Sequence, residues 1–346
     1  MAGGLALAPP LCQRPAMTAE PFSIGGVAIG QRALVAPMSG VSDLPFRKAA
    51  ARQGARYVVT EMVAADALAG GRPDVVRRAA VEGLPLTVVQ LVGREARWIG
   101  LGAKMAEEAG ADIIDLNMGC PSREVVGVAC GAALMRDLDQ AERLIGAAVA
   151  ATSRPVTLKM RLGWDDDSRN APELAERAEQ AGVRALTVHA RTRNQFYKGV
   201  CDWRAVAAVK AATHLPVVVN GDIVDDVSAR QALEQSGADA VMIGRGACGR
   251  PWIAAAIDAA LDTAAPIEEP ATADRLGIVL EHLRDTLIFY GDSFGLKVFR
   301  KHLAAYIEQA PYPVSPEERR AAKARLCQVP NAAAVESGLT AFWNGG

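Results

Sequence analysis

One alternation limits what this chain can become. Between residue 32 and about residue 260, short apolar or β-branched runs recur at 33–36, 57–60, 86–91, 111–116, 156–160, 185–189, 216–220 and 240–244. Ala-rich amphipathic segments lie between them, at 44–52, 96–108, 139–151, 171–180, 203–211 and 227–235. Strands this apolar, each followed by a helix, pair in parallel with both sheet faces covered. The phrase Glu-Glu-Ala-Gly before the fourth run returns as Glu-Gln-Ala-Gly before the sixth and Glu-Gln-Ser-Gly before the eighth. In each case a glycine stops a helix and the next strand starts at once. Eight such units fit a closed (β/α)8 barrel, an α/β fold of the TIM type. A doubly wound open sheet is the alternative, because periodicity alone does not show closure. The barrel puts functional groups at the carboxyl ends of its strands.

Beyond residue 261 the pattern changes. A stretch rich in Ala, Pro, Glu and Thr (262–273) reads as a linker. Helical periodicity without strand signals follows at 274–290, 296–308, 316–328 and 332–343, which predicts a separate all-helical domain over 274–346. The barrel domain then spans 22–261, and residues 1–21 are expected to form a disordered extension. That extension lacks the basic leader and sustained apolar core of a signal peptide. No run approaches the roughly 20 apolar residues of a membrane span. The whole chain carries a net charge of −1, yet residues 294–326 hold seven Lys or Arg against three Asp or Glu. A basic surface on an otherwise acidic protein points to a polyanionic partner. The six cysteines (Cys12, Cys120, Cys130, Cys201, Cys248, Cys327) form no Cys-x-x-Cys pair and have no histidine at metal spacing, so neither a disulfide framework nor a metal site is expected. A reducing cytoplasm suits them.

Several strand ends carry chemistry. Asn117-Met118-Gly119-Cys120-Pro121 follows the fourth run and holds a thiol on a turn made rigid by Gly and Pro. Cys120 could be a buried small hydrophobe, a nucleophile or an acid. No histidine is near in sequence to activate it, and an unperturbed thiol is mostly protonated at neutral pH, which favours an acid. Lys159 interrupts an otherwise apolar strand and His189 ends another. At a barrel mouth, a lysine and a histidine there could hold the anionic edge of a flavin, with the Gln90 amide at its pyrimidine side. A structural histidine and a salt-bridged lysine are equally open readings. Asn220-Gly221-Asp222 and Gly244-Arg245-Gly246 end the last two strands, where barrels commonly bind phosphate. Residues 244–249 also satisfy G-x-G-x-x-G, but no second strand with an acidic residue follows the expected helix at 251–261. A mononucleotide phosphate therefore fits this loop better than a dinucleotide domain.

Taken together these residues resemble the tRNA-dihydrouridine synthases. Residues 35–47, with Ala36-Pro37-Met38, Asp43 and Phe46-Arg47, look like that family's opening signature. Residues 117–121 look like its catalytic loop, and His189-Ala190-Arg191 with Tyr197-Lys198-Gly199 like the segment after its sixth strand. Arg300-Lys301-His302-Leu303 is similar to a motif of the bacterial B-type members. The resemblance runs from about Phe22 to about Tyr306. It implies an FMN-bearing barrel and a helical domain that grips tRNA, with NADPH as reductant and no further protein partner. It also implies that Cys120 is the proton donor. Pro37, Met38, Ser39, Gln90, Lys159, His189, Asn220, Gly221, Asp222, Gly244 and Arg245 match flavin positions. Asn117 matches a residue near uracil and flavin; Arg191, Arg300 and Lys301 are candidate tRNA contacts. Glu124 stands where B-type members often carry a cation. A flavin barrel acting on a free pyrimidine is the other enzymatic reading, against which the basic helical segment argues.

Overall fold

The computed structural model describes residues 22–311 and 314–344; the extension expected over 1–21 lies outside them. The strands are β1 (Ser23–Ile24), β2 (Val27–Ala28), β3 (Ala33–Val35), β4 (Val63–Ala64), β5 (Val88–Val92), β6 (Ile113–Met118), β7 (Val156–Arg161), β8 (Ala185–His189), β9 (Val217–Asn220) and β10 (Ala240–Ile243). The helices are α1 (Leu44–Arg52), α2 (Ala65–Ala69), α3 (Pro73–Arg78), α4 (Ala96–Glu108), α5 (Arg123–Val126), α6 (Leu138–Ala151), α7 (Ala171–Gln180), α8 (Val206–Ala211), α9 (Asp226–Ser236), α10 (Ile253–Thr263), α11 (Thr272–Tyr290), α12 (Asp292–Glu308), α13 (Pro316–Leu326) and α14 (Ala332–Trp343).

Parallel pairing runs β3-β10-β9-β8-β7-β6-β5-β4. The second run, at 57–60, closes the ring. Val35 donates to the Tyr57 carbonyl at 2.9 Å, Val59 to that of Val35 at 3.3 Å, and Thr60 to that of Val88 at 3.0 Å. This segment is held by single bridges rather than a full ladder, so it is shorter than its composition suggests.

Inside the ring, side chains fall into two zones. Toward the amino ends of the strands the filling is apolar: Leu34, Tyr57, Val59, Val88, Ile113, Ala185, Val218, Ala240 and Met242 form one cluster with Ile24 and Ile29. The last two belong to the β1–β2 hairpin region, which plugs the floor. Toward the carboxyl ends the same inward-facing positions turn polar, with Gln90, Asp115, Asn117, Thr157, Lys159, Thr187 and Asn220 all buried. A larger apolar layer packs the outer faces of the strands against the helices.

Helices α11 to α14 share a third core built on Leu283, Phe299, Leu303, Tyr306, Leu339 and Trp343, joined by Trp252 from the end of the barrel. Helix α12 begins at Asp292 rather than 296, and α10 continues to Thr263, so the connection to α11 is confined to 264–271. Gly249, at φ +72°, comes so close to the Ala305 carbonyl of α12 that a side chain has no room. No helix among the described residues is long and apolar enough to cross a membrane.

Candidate active site

Strand register assembles the site. Gln90 pairs with Asp115, Asn117 with Lys159, Lys159 with Thr187, Arg161 with His189, and His189 with Asn220. Since alternate residues of a strand share a face, these side chains ring the mouth as one belt. They are also linked. The Gln90 amide donates to Asp115 at 2.6 Å and accepts from Asn117 at 2.8 Å. Thr157 donates to the other Asp115 oxygen at 2.6 Å. Lys159 donates to Asn220 Oδ1 at 3.0 Å, and Asn220 donates to the Met242 carbonyl at 2.8 Å. Burial, and then the neighbouring Arg161, lowers the Lys159 ammonium to about 8. Burial followed by Arg161 and Lys159 holds His189 well below its ordinary value, so its imidazole is neutral.

The cysteine loop is braced on three sides. Asn117 Oδ1 accepts the amides of Gly119 at 3.2 Å and Cys120 at 2.9 Å, an Asx-type turn. The Cys120 carbonyl accepts from Ala132 at 3.0 Å, and Gly131, at φ +59°, lets that segment approach. Arg161, 1% exposed, donates to the Gly119 carbonyl at 2.7 Å and to the carbonyls of Thr192 and Phe196 at 2.8 and 2.9 Å. One buried guanidinium therefore ties the loop after β6 to the loop after β8. Sequence reasoning missed it, along with Asp115; the clue was that residues 157, 159 and 161 are all polar on the inward face of β7. Burial raises the Cys120 thiol. At neutral pH it keeps its proton.

Arg191, expected as an RNA contact, is a brace instead. It is 1% exposed and donates to the Lys198 carbonyl at 3.1 Å, the Gly199 carbonyl at 2.6 Å, Cys201 Sγ at 2.9 Å and Asp222 at 2.5 Å. That leaves it no surface to offer a ligand. Asp222 takes φ +55° and accepts Arg191 and the Cys201 amide on one oxygen and Arg245, at 3.3 Å, on the other. Gly221 packs so closely on Cys201 Sγ and His189 that no Cβ fits. The exposed Tyr197 ring lies 5.5 Å from both the Arg161 and the Arg245 guanidinium.

The Gly244 loop differs from expectation in one respect. Gly244 leads into a single 3-10 turn (Arg245–Ala247), and the helix proper starts only at Ile253. Arg245 is exposed at this rim. Across the mouth, Pro37 and Met38 are half-buried and Ser39 exposed, in a loop where the Met38 amide donates to Ser42 Oγ at 2.9 Å. Arg300 and Lys301 are exposed on α12. Lys301 Nζ reaches to 2.7 Å from where a Cβ on Gly40 would stand, so this lysine overhangs the first barrel loop. Arg123 and Glu124 are exposed on the short α5 beside the cysteine loop.

Comparison with known proteins places the chain in a family and shows its fold elsewhere. The dihydrouridine synthase family model matches residues 34–336. A probable tRNA-dihydrouridine synthase of Rhodobacter capsulatus is 52% identical over 303 residues, 87% of this chain and 93% of that one. A probable tRNA-dihydrouridine synthase of Rhizobium leguminosarum is 48% identical over 82% of this chain and 87% of its own. The tRNA-dihydrouridine synthase B of Pseudomonas aeruginosa is 42% identical over 83% and 87%. Among solved structures, morphinone reductase in complex with tetrahydroNAD superposes with a TM-score of 0.51 at 16% identity, covering 74% of this chain and 93% of that one. The fold is thus shared with an oxidoreductase barrel.

Proposed function

The chain belongs to the dihydrouridine synthase family, and from that premise we propose that it reduces a specific uridine of tRNA to 5,6-dihydrouridine, with FMN in the barrel mouth and NADPH as the reductant. Cys120 supports this above all, a thiol kept protonated by burial on a turn braced by Asn117, Ala132 and Arg161 at the edge of the polar belt. Saturating a uracil double bond needs a hydride at C6 and a proton at C5, where charge conjugated with the C4 carbonyl must be quenched. A bound flavin supplies the hydride. Cys120 supplies the proton.

The residues suit a flavin. Lys159 uses one of its three donors on Asn220 and is otherwise desolvated, so an anionic acceptor beside it would offset the cost of its buried charge. Neutral His189 offers one N–H, and Gln90 fixes the Asn117 side chain that orders the cysteine turn. Backbone from Pro37 to Ser39, Gly221, Asp222, Gly244 and Arg245 rims the mouth and would hold the rest of the group. The target base must leave its stack to reach such a mouth, which is cheapest in an unpaired loop of a folded RNA. Arg300 and Lys301 are the proposed phosphate contacts.

Mapping dihydrouridine in tRNA from cells with and without the gene tests the proposal. At least one position reverts to uridine in the deletion, and the purified protein with FMN and NADPH restores it. If every position persists and the purified protein leaves the tRNA unchanged, the proposal fails.

A further inference from the structure

Three donors from distant stretches of chain meet where the barrel touches the helical region. Asp43 precedes α1, His282 lies on α11 and His302 on α12. One ligand atom from each lies within 4.8 Å of the other two. Their exposures are 2%, 0% and 2%. Asp43 Oδ1 accepts the Phe46 amide at 3.0 Å, as a helix cap does; Oδ2 is buried with no partner at ordinary hydrogen-bond geometry, and the Tyr290 hydroxyl is the polar group that faces this carboxyl. Nε2 of His282 and Nε2 of His302 are likewise buried without a partner.

Leaving a buried polar atom unsatisfied costs its full desolvation. Three neighbouring residues that each keep such an atom, and whose ligand atoms cluster, mark a site that a further group can fill. The surroundings fix the rings as ligands are fixed. His282 Nδ1 lies 3.0 Å from the Tyr306 hydroxyl, the kind of outer partner that sets the tautomer of a ligating imidazole and turns its free nitrogen inward. Phe46 stacks on His302 at 5.7 Å and 15°, and Phe299 meets His282 edge-on at 5.3 Å. The two imidazole centroids are 4.6 Å apart.

We propose that Asp43, His282 and His302 bind one divalent transition-metal ion, zinc foremost, which fastens the first barrel loop to the helical region. Two imidazoles and a carboxylate are a nitrogen-rich set, suited to zinc or its neighbours and unsuited to magnesium or calcium, which require oxygen donors. At zinc–ligand distances of about 2.0–2.2 Å the donors draw together from their present spread, and a water completes the tetrahedron. Both signs of charge surround the site: Glu61 and Lys301 act on Asp43, Lys301 on His302 and Arg52 on His282. No Cys-x-x-Cys or His-x-His spacing announces such a site, because its ligands are 239 and 20 residues apart and only the packing of α1 against α11 and α12 joins them. The site is independent of the proposed tRNA chemistry.

Metal content reads it directly. Tag-free protein is incubated with zinc chloride, desalted and analysed by elemental mass spectrometry, and then loaded with cobalt(II) for visible absorption. The wild-type protein retains about one zinc per chain and shows the d–d bands of cobalt bound by nitrogen and oxygen. Asp43→Asn preserves size and capping ability, so with an unchanged circular dichroism spectrum it must lose the metal, as must the His282→Ala/His302→Ala variant. Zinc at background in the wild-type protein overturns the proposal, and so does one zinc retained by the folded Asp43→Asn or double-histidine variant, since the ion would then sit elsewhere.

Discussion

Lys159 shows how a side chain that weakens the fold can serve its site. Burial lowers its ammonium to about 8 from an ordinary value near 10.5, so charging it in the folded barrel carries a cost. That cost is fully present below pH 8 and fades as pH rises toward the unfolded value, because there both states give up the proton. Lys159→Met should therefore stabilise the flavin-free protein at pH 7 by about 1–3 kcal/mol, with the gain fading above about pH 8 and gone only above about pH 11, as denaturant melts at several pH values will show. The same variant should lose flavin affinity; equal or better FMN binding would remove Lys159 from the cofactor site. Cys120→Ala makes the complementary test. Burial keeps this thiol protonated, so the variant should retain bound flavin and NADPH-driven flavin bleaching but lose roughly a hundredfold or more of dihydrouridine formation. Wild-type turnover on tRNA would end the proton-donor assignment. Lys159 and His189 were legible because each breaks an apolar run. Arg161 was not, since an arginine at the end of a strand looks like surface charge until the loops after β6 and β8 are seen to fold over it.

Between residue and domain, the elements follow from periodicity where there is enough of it. Every β/α unit with a run of four or more apolar residues appears near its expected place. What escaped was short. The β1–β2 hairpin has two residues per strand, too few for a period, and its only signal is the Gly25-Gly26 pair, whose φ values of +57° and +88° suit the tight turn it makes. The G-x-G-x-x-G pattern proved to serve two ends. Gly244 and Gly246 shape the mouth, whereas Gly249 admits the backbone of α12. Gly249→Ala should consequently destabilise the protein by about 2–4 kcal/mol, through both the left-handed φ and the collision with the Ala305 carbonyl, and the loss should show first as slackening of α11 and α12 in hydrogen exchange. Gly246→Ala, which meets the Ile223 carbonyl on the barrel side, should leave exchange in those helices unchanged. Uniform loss of protection in both variants would mean the two regions unfold as one.

Across the whole molecule, part of the basic stretch read from composition is already engaged within the protein. Arg319 donates to the Ile307 carbonyl at the end of α12, Arg320 pairs with Glu317 at 2.8 Å, and Lys323 pairs with Glu308 at 2.6 Å. Composition could not show the Arg319 and Lys323 contacts, because they depend on how α13 folds back onto α12, whereas Arg320 and Glu317 pair within α13. Arg300 and Lys301 are exposed on α12, and Lys301 leans over the loop at Gly40, beside the mouth. An RNA whose extruded base enters that mouth must pass its backbone close to this lysine. Reversing both, Arg300→Glu with Lys301→Glu, should weaken tRNA binding by an order of magnitude or more at low salt and flatten the slope of log affinity against log salt by about 1.4–1.8, the share of two phosphate contacts. Lys323→Gln, which removes a charge already paired with Glu308, should change that slope far less. Filter binding of folded tRNA between about 50 and 200 mM salt separates the two. An unchanged slope in the double reversal, or an equal change in Lys323→Gln, would mean that tRNA reads net charge rather than this face.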